Sequence, residues 1–283
     1  MADNTQLRTY RDGVAVITGG ASGIGRSLGK ALAKRGCTVI LADLQLEMAL
    51  AVASEIHSTG GNATAVKLDV TDNEAVETLL KGTFEKYGRI DYLFNNAGIA
   101  INGAFHDFTL ADWRRCIDVN LLGVVHGLHS IYPIMAKQGF GHIINTASTA
   151  GLFPWPTTIA YTATKHAVVG LTTATRAELA HSNINVSALC PGTIKTPMIA
   201  HDSSGERWAG EYDQEKLEKF FKSAGGMDPC AFAEAALDKV ARNKAIIVLP
   251  RSYKILWWIN RLMPAVAIAL ASKISQAILS RVK

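Results

Sequence analysis

The chain has 283 residues, 48% hydrophobic and 19% charged, a balance that supports a large buried core and excludes a disordered polypeptide. Its net charge of +5 is confined to one end. Residues 251–283 hold six Lys or Arg and no acid, which leaves 23 basic against 24 acidic groups elsewhere and gives no reason to expect nucleic acid. Four scattered cysteines, Cys37, Cys116, Cys190 and Cys230, match neither a zinc site nor a disulfide framework and read as reduced thiols, so no metal is expected.

The first apolar stretch, Val14 to Thr18, is strand-length and follows a polar segment, so no secretory leader is read and a cytoplasmic setting is expected. Short apolar, β-branched runs then recur at 13–18, 38–42, 64–68, 91–95, 142–146, 185–189 and 245–249. Amphipathic helical patterns separate them at 24–35, 46–58, 73–87, 111–137 and 160–181. Strands joined by helices of ten or more residues are parallel, through right-handed crossovers. Seven such strands without a linker predict one doubly wound α/β domain, a Rossmann-type fold over residues 1–250.

Strand one runs into Thr18-Gly19-Gly20-Ala21-Ser22-Gly23-Ile24-Gly25, and a helix follows at once. A glycine-rich turn between a buried strand and a helix lets a pyrophosphate sit against backbone amides at the positive helix end. Gly19, Ser22, Gly23, Ile24 and Gly25 are therefore candidate dinucleotide contacts. Strand two ends at Asp43, where a carboxylate accepts from ribose hydroxyls and repels a 2′-phosphate; Leu44 and Gln45 follow, with no Arg or Lys, which favours NAD over NADP. An alternative is that Asp43 only caps the next helix. Asp69, with Val70 beside it, and the small residues after strand four, Asn96, Ala97 and Gly98, stand at the C-terminal strand ends where open α/β sheets bind ligands.

Tyr161 and Lys165 are spaced i, i+4 on one helical face. A phenol is a poor base at neutral pH, but an ammonium about 4 Å away, at an effective dielectric near 20, is worth roughly 4 kcal/mol and lowers its pKa by about three. Ser148, ending the fifth strand, can hydrogen-bond a substrate oxygen, and Asn120 can hold a water or the end of a proton relay.

With these residues in place, the chain resembles a classical short-chain dehydrogenase/reductase over nearly all of residues 13–249. The T-G-x-x-x-G-x-G turn, N-N-A-G, Asn120, Ser148, Y-x-x-x-K and Pro191-Gly192 occur in that family's order. The resemblance implies a tetrad: Tyr161 as acid–base residue, Lys165 on the nicotinamide ribose, Ser148 orienting the carbonyl and Asn120 supporting the relay. It also implies that Pro191, Gly192, Ile194 and Thr196 border the nicotinamide, and that the protein is a homodimer or homotetramer.

The substrate end is less explicit. Phe153 and Trp155 follow Ser148 closely, and a lid over about 193–228 carries Met198, Trp208, Tyr212, Phe220 and Phe221. An apolar pocket for a lipophilic secondary alcohol or ketone (steroid-, retinoid-, aryl- or fatty-alcohol-like) follows as an expectation, with ordinary packing as the alternative. The tail, residues 251–283, reads as a basic, apolar helical extension. Its uncharged run lies between Arg261 and Lys273 and is too short to span a bilayer. It either walls the pocket, covers a partner subunit, or lies on a membrane surface as a peripheral contact. Two other functions compete with the redox enzyme. A dinucleotide-sensing protein would lack one of Ser148, Tyr161 or Lys165, and an isomerase or dehydratase of the extended branch would space its glycines differently. A reductase running mainly toward the alcohol remains open within the redox reading.

Overall fold

Alternate side chains of the central strands point into two different apolar layers, and this alternation builds the domain. The computed structural model describes residues 6–196, 206–210, 212–213, 215–216 and 225–282. Strands β1 (Val14–Thr18), β2 (Thr38–Asp43), β3 (Asn62–Lys67), β4 (Tyr92–Asn95), β6 (Gly141–Thr146), β7 (Ile184–Pro191) and β9 (Ile246–Leu249) form one parallel sheet in the order β3-β2-β1-β4-β6-β7-β9. From β1 and β2, Ala15, Ile17, Val39 and Leu41 face one layer, with Leu28, Leu32, Val52, Ile56, Phe232 and Leu237. Val14, Val16, Ile40 and Ala42 face the other, with Val76, Leu80, Ile131 and Met135. The period of two in the strands thus meets the 3.6-residue period of the flanking helices on both sides.

On the first side lie α1 (Gly23–Lys34), α2 (Leu46–Ser58) and α7 (Pro229–Ala241); on the second lie α3 (Asn73–Tyr87), α4 (Leu110–Ile117), α5 (Gly123–Gln138) and α6 (Ile159–Glu178). Local chemistry sets the ends. Asp72 accepts from the Ala75 amide at 3.0 Å to start α3, and Gly88 ends it at φ 72°. Thr109 and Asp112 form a reciprocal capping box on α4.

The helix expected over 111–137 runs unbroken over Leu110–Gln138, with a π-helical turn, Asp118–Leu122, between α4 and α5. Periodicity does not register the extra residue such a turn inserts. The run Leu110–Gln138 has the length and apolarity of a membrane span, yet half of its apolar window is buried, with Ile131 and Met135 in the core.

Two short strands outside the main sheet, β5 (Ala100–Asn102) and β8 (Glu206–Trp208), pair in parallel. Beyond β9, α8 (Lys254–Leu262) and α9 (Pro264–Val282) fold back on the domain. Ala267 and Ala271 are buried against Phe153, and the Asn260 amide donates to the Leu152 carbonyl at 3.1 Å. The N-terminal segment is fixed by a buried ion pair. Arg89 Nε donates to Asp91 at 2.7 Å, and Asp91 also accepts from the backbone of Arg8 and Val14.

Candidate active site

A cleft of about 990 Å³ opens at the C-terminal ends of β1, β2, β4, β6 and β7. It lies over the point where strand order reverses between β1 and β4, the place where an open α/β sheet leaves a crevice.

The turn after β1 forms one end. Gly19 has φ +67°, and a Cβ there would lie 2.9 Å from Ala97 Cα, so only glycine lets the turn pass the end of β4. Ser22 caps α1 with extended backbone, its side chain makes no cap hydrogen bond, and the first turn holds no acid. The early amides of α1 are thus available to an anion, favoured by the helix dipole. Thr18 Oγ1 accepts from the amides of Asn96 and Ala97, both at 3.0 Å, while the Asn96 side chain donates to the Thr18 carbonyl at 3.1 Å, locking β1 to β4.

Gly19, Ser22, Gly23 and Ile24 line the cleft, as do Asp43, Asp69, Val70, Asn96, Ala97 and Gly98. Gly25 does not. It is buried, and a Cβ on it would lie 1.9 Å from the Gly19 carbonyl, so its smallness lets the helix start pack against the turn. At the cleft edge Asp43 accepts from the amides of Ala21 and Gln45, each at 2.9 Å, which turns its carboxylate back toward the glycine turn. Asp69 accepts from Thr71 through both its amide and its hydroxyl. Val70 offers its carbonyl to His126 Nδ1 at 2.8 Å, which places the proton on Nδ1. A helix start with no acid in its first turn, and a carboxylate at the cleft edge, fit a nicotinamide dinucleotide.

Ser148, Tyr161 and Lys165 line the middle of the cleft together. Ser148 Oγ accepts from the Ala150 amide at 3.0 Å and donates to the Pro191 carbonyl at 3.4 Å. Lys165 is buried, its Nζ donates to the Thr146 carbonyl at 2.7 Å and lies 5.4 Å from the Tyr161 ring centroid. Burial pushes the lysine pKa down to about 8. Asn120 sits in the π-helical turn, fully buried and off the cleft surface. Its Oδ1 accepts from the Ile99 amide at 2.8 Å and its Nδ2 donates to the Ile99 carbonyl at 2.9 Å. A Cβ on Gly98 would stand 3.1 Å from Asn120 Oδ1 and 3.5 Å from Lys165 Nζ, so the three residues meet at one point.

Pro191, Gly192, Ile194 and Thr196 line the far end, with Trp155 and Trp208. Phe153 was expected beside them but is turned away, 1% exposed, into the cluster with Ala267 and Ala271. The C-terminal helix pair supplies the apolar cover that draws it there. Met198, Phe220 and Phe221 lie outside the described residues. Trp208 packs edge-on against Tyr212 at 4.7 Å. The Tyr212 hydroxyl donates to Asp107 at 2.7 Å and accepts from the Ala104 amide at 2.8 Å.

Two wall residues carry no motif. Tyr253, just past β9, lies against Gly192, where a Cβ would come within 2.6 Å of the ring, and shares a 2.7 Å hydrogen bond with Thr193 Oγ1. Ile278 reaches the cleft from α9. Its spacing from Ala267, Ala271 and Ile274 is that of one helical face, the only signal in the sequence that could have placed it.

No group of three or more His, Cys, Asp or Glu among the described residues is arranged to hold a metal. Cys116 and Cys190 are buried, and burial raises their thiols to about 11 and about 12, which removes them as nucleophiles.

Residues 13–207 match the family described as short chain dehydrogenase. A cyclohexanol dehydrogenase from Acinetobacter sp. (strain SE19) is 39% identical over 199 residues, covering 70% of this chain and 79% of its own. A 2,5-dichloro-2,5-cyclohexadiene-1,4-diol dehydrogenase from Sphingobium indicum is 36% identical over 188 residues, covering 66% of this chain and 75% of its own. A short-chain dehydrogenase/reductase from Burkholderia phymatum, solved in complex with NAD, superposes with a TM-score of 0.82 at 28% identity, over 90% of this chain and 94% of that one. The cleft and these likenesses agree: the chain belongs to the short-chain dehydrogenase/reductase family and is an oxidoreductase with a nicotinamide dinucleotide site.

Proposed function

We propose that the protein is an NAD-dependent dehydrogenase that interconverts a lipophilic secondary alcohol and its ketone, with six-membered-ring alcohols as the first class to test. The observation that carries this reading is the meeting of Ser148, Tyr161 and Lys165 in one cleft whose coenzyme end is rimmed by Asp43 and whose other end is walled by Trp155, Trp208, Tyr253 and Ile278. Cyclohexane-type rings in the names of two relatives are compatible with that apolar end.

A nicotinamide dinucleotide held by Gly19, Ser22, Gly23, Ile24 and Asp43 would supply the two-electron chemistry, a hydride exchanged with the carbinol carbon. Tyr161 Oη takes the hydroxyl proton as the carbonyl forms, and returns it in reduction. Ser148 Oγ donates to the substrate oxygen and fixes its distance from Tyr161. Lys165, held by the Thr146 carbonyl, keeps a positive charge beside the phenol and favours phenolate. Asn120 is a positioning residue. It clamps Ile99 and, through Gly98, sets the wall on which Lys165 rests. Asp43 accepts from the adenosine ribose and disfavours a 2′-phosphate.

Subunit association belongs to the same reading. Ala163, Gly170, Ala174 and Ala177 are exposed along α6 with His166 among them, a mostly small-residue face that supports the approach of a second helix, as expected of a dimer or tetramer.

Secondary alcohols (cyclohexanol, substituted cyclohexanols and open-chain analogues) assayed for NADH absorbance test the proposal. Turnover of ring alcohols with NAD, at least about tenfold more efficient than with NADP, is expected. No turnover of any ring alcohol or its ketone with either coenzyme would overturn it.

A further inference from the structure

Six of the fourteen large hydrophobic side chains exposed among the described residues fall within residues 255–268: Ile255, Trp258, Leu262, Met263, Val266 and Ile268. Ile255, Trp258 and Leu262 recur at i, i+3 and i+7, so α8 presents an apolar stripe outward, with Trp258 51% and Leu262 69% exposed. Met263, Val266 and Ile268 continue the exposed apolar surface across the junction into the first turns of α9. These helices already have an inward face, built on Leu256, Ile259, Ala267 and Ala271, so the outward stripe is surplus to the fold.

The charges around this stripe share one sign. Arg251, Lys254, Arg261 and Lys273 flank it, and residues 251–283 contain no acid. Lys239, Arg242 and Lys244 add to the field. Partial burial, and then the neighbouring charges of Arg251, Lys254, Arg242 and Lys244, hold the Lys239 ammonium below its ordinary range. The acids nearest in sequence, Glu234 and Asp238, are already bonded to Arg35, at 2.6 and 2.8 Å.

We infer that α8 and the start of α9 form a docking surface for an anionic lipid bilayer, with Ile255, Trp258, Leu262 and Met263 entering the interface and Arg251, Lys254 and Arg261 meeting the headgroups. An occupant must cover apolar side chains and bring negative charge. A second copy does the first but not the second, because a two-fold contact would set Arg251, Lys254 and Arg261 against their equivalents with no acid in either segment. A bilayer with acidic headgroups does both without needing a matched shape. The inference is independent of the reaction assigned to the cleft.

The test uses the full chain and sedimentation with phosphatidylcholine vesicles, with and without phosphatidylglycerol. Binding to the anionic vesicles at low salt, at least about tenfold weaker binding to phosphatidylcholine alone, and release by high salt are expected. The exposed triple substitution R251Q/K254Q/R261Q should weaken binding on the order of 100-fold, and W258S/L262S at least about tenfold. Neither touches the cleft, so circular dichroism and turnover should match the unsubstituted protein. Absence of binding to anionic vesicles at low salt, or undiminished binding by both variants, would overturn the inference. So would self-association abolished by W258S/L262S without vesicle binding, which would assign the stripe to a second copy.

Discussion

The Lys165 ammonium lies 5.4 Å from the centre of the Tyr161 ring while donating to the Thr146 carbonyl at 2.7 Å. A buried cation with one carbonyl partner is costly, and its pKa of about 8, against the usual 10.5, expresses that cost. The fold therefore binds fewer protons than the unfolded chain between those two values. Stability rises with pH across that window, and the full penalty applies below pH 8.

It follows that Lys165→Met should stabilise the coenzyme-free protein at pH 7 while reducing turnover at least about 100-fold. The gain is bounded by roughly 3 kcal/mol for the buried charge, less about 1 kcal/mol for the lost hydrogen bond to Thr146. Urea unfolding of both proteins at pH 7 and near pH 10 checks the sign: the difference should shrink as pH rises. A variant less stable than the parent at pH 7, by an amount that does not change with pH, would contradict this account of Lys165.

Asp43 carries the coenzyme preference. Its carboxylate already accepts from Ala21 and Gln45, so Asp43→Ala loses both the rim charge and a brace on the glycine turn, whereas Asp43→Asn keeps the shape. Both variants should lose about 10-fold or more in efficiency with NAD, the scale of one or two hydrogen bonds to a charged group, and the ratio of NADP to NAD efficiency should rise. Equal use of the two coenzymes by the unsubstituted enzyme would show that the carboxylate does not govern the choice.

Tyr253 makes the tail part of the pocket. Replacing it with Ala uncovers Gly192 and removes the hydrogen bond to Thr193, without touching Ser148, Tyr161 or Lys165. For a ring alcohol the expected result is a KM raised about tenfold, the loss of a buried aromatic contact, with kcat within about threefold. A fall in kcat with KM unchanged would place Tyr253 in the chemical step instead.

The parallel sheet was legible because buried strands alternate with helices of strong periodicity. α2 and α3 begin and end at the residues the pattern predicts, α3 because Asp72 and Gly88 punctuate it. The meeting of Ser148, Tyr161 and Lys165 in one cleft was legible for a different reason: they sit on or just after regular elements, so their spacing survives folding.

What escaped the sequence depends on contacts distant along the chain. The π-helical turn at Asp118–Leu122 accompanies the clamp of Asn120 on Ile99, twenty-one residues away. Phe153 reads as a pocket residue until α9, more than a hundred residues later, covers it. Tyr253 and Ile278 line the cleft because the tail folds back over β9 and Phe153, one of the placements its composition left open without choosing among them.

The most direct measurement is the steady-state rate of cyclohexanol oxidation by the unsubstituted enzyme and by Tyr161→Phe, followed as NADH absorbance, with NAD affinity measured in parallel. The substitution keeps the ring under Lys165 and removes only the hydroxyl. The account predicts a rate at least about 100-fold lower, with NAD affinity changed by less than about threefold. A Tyr161→Phe rate within about tenfold of the unsubstituted enzyme would contradict it and assign proton transfer to another group.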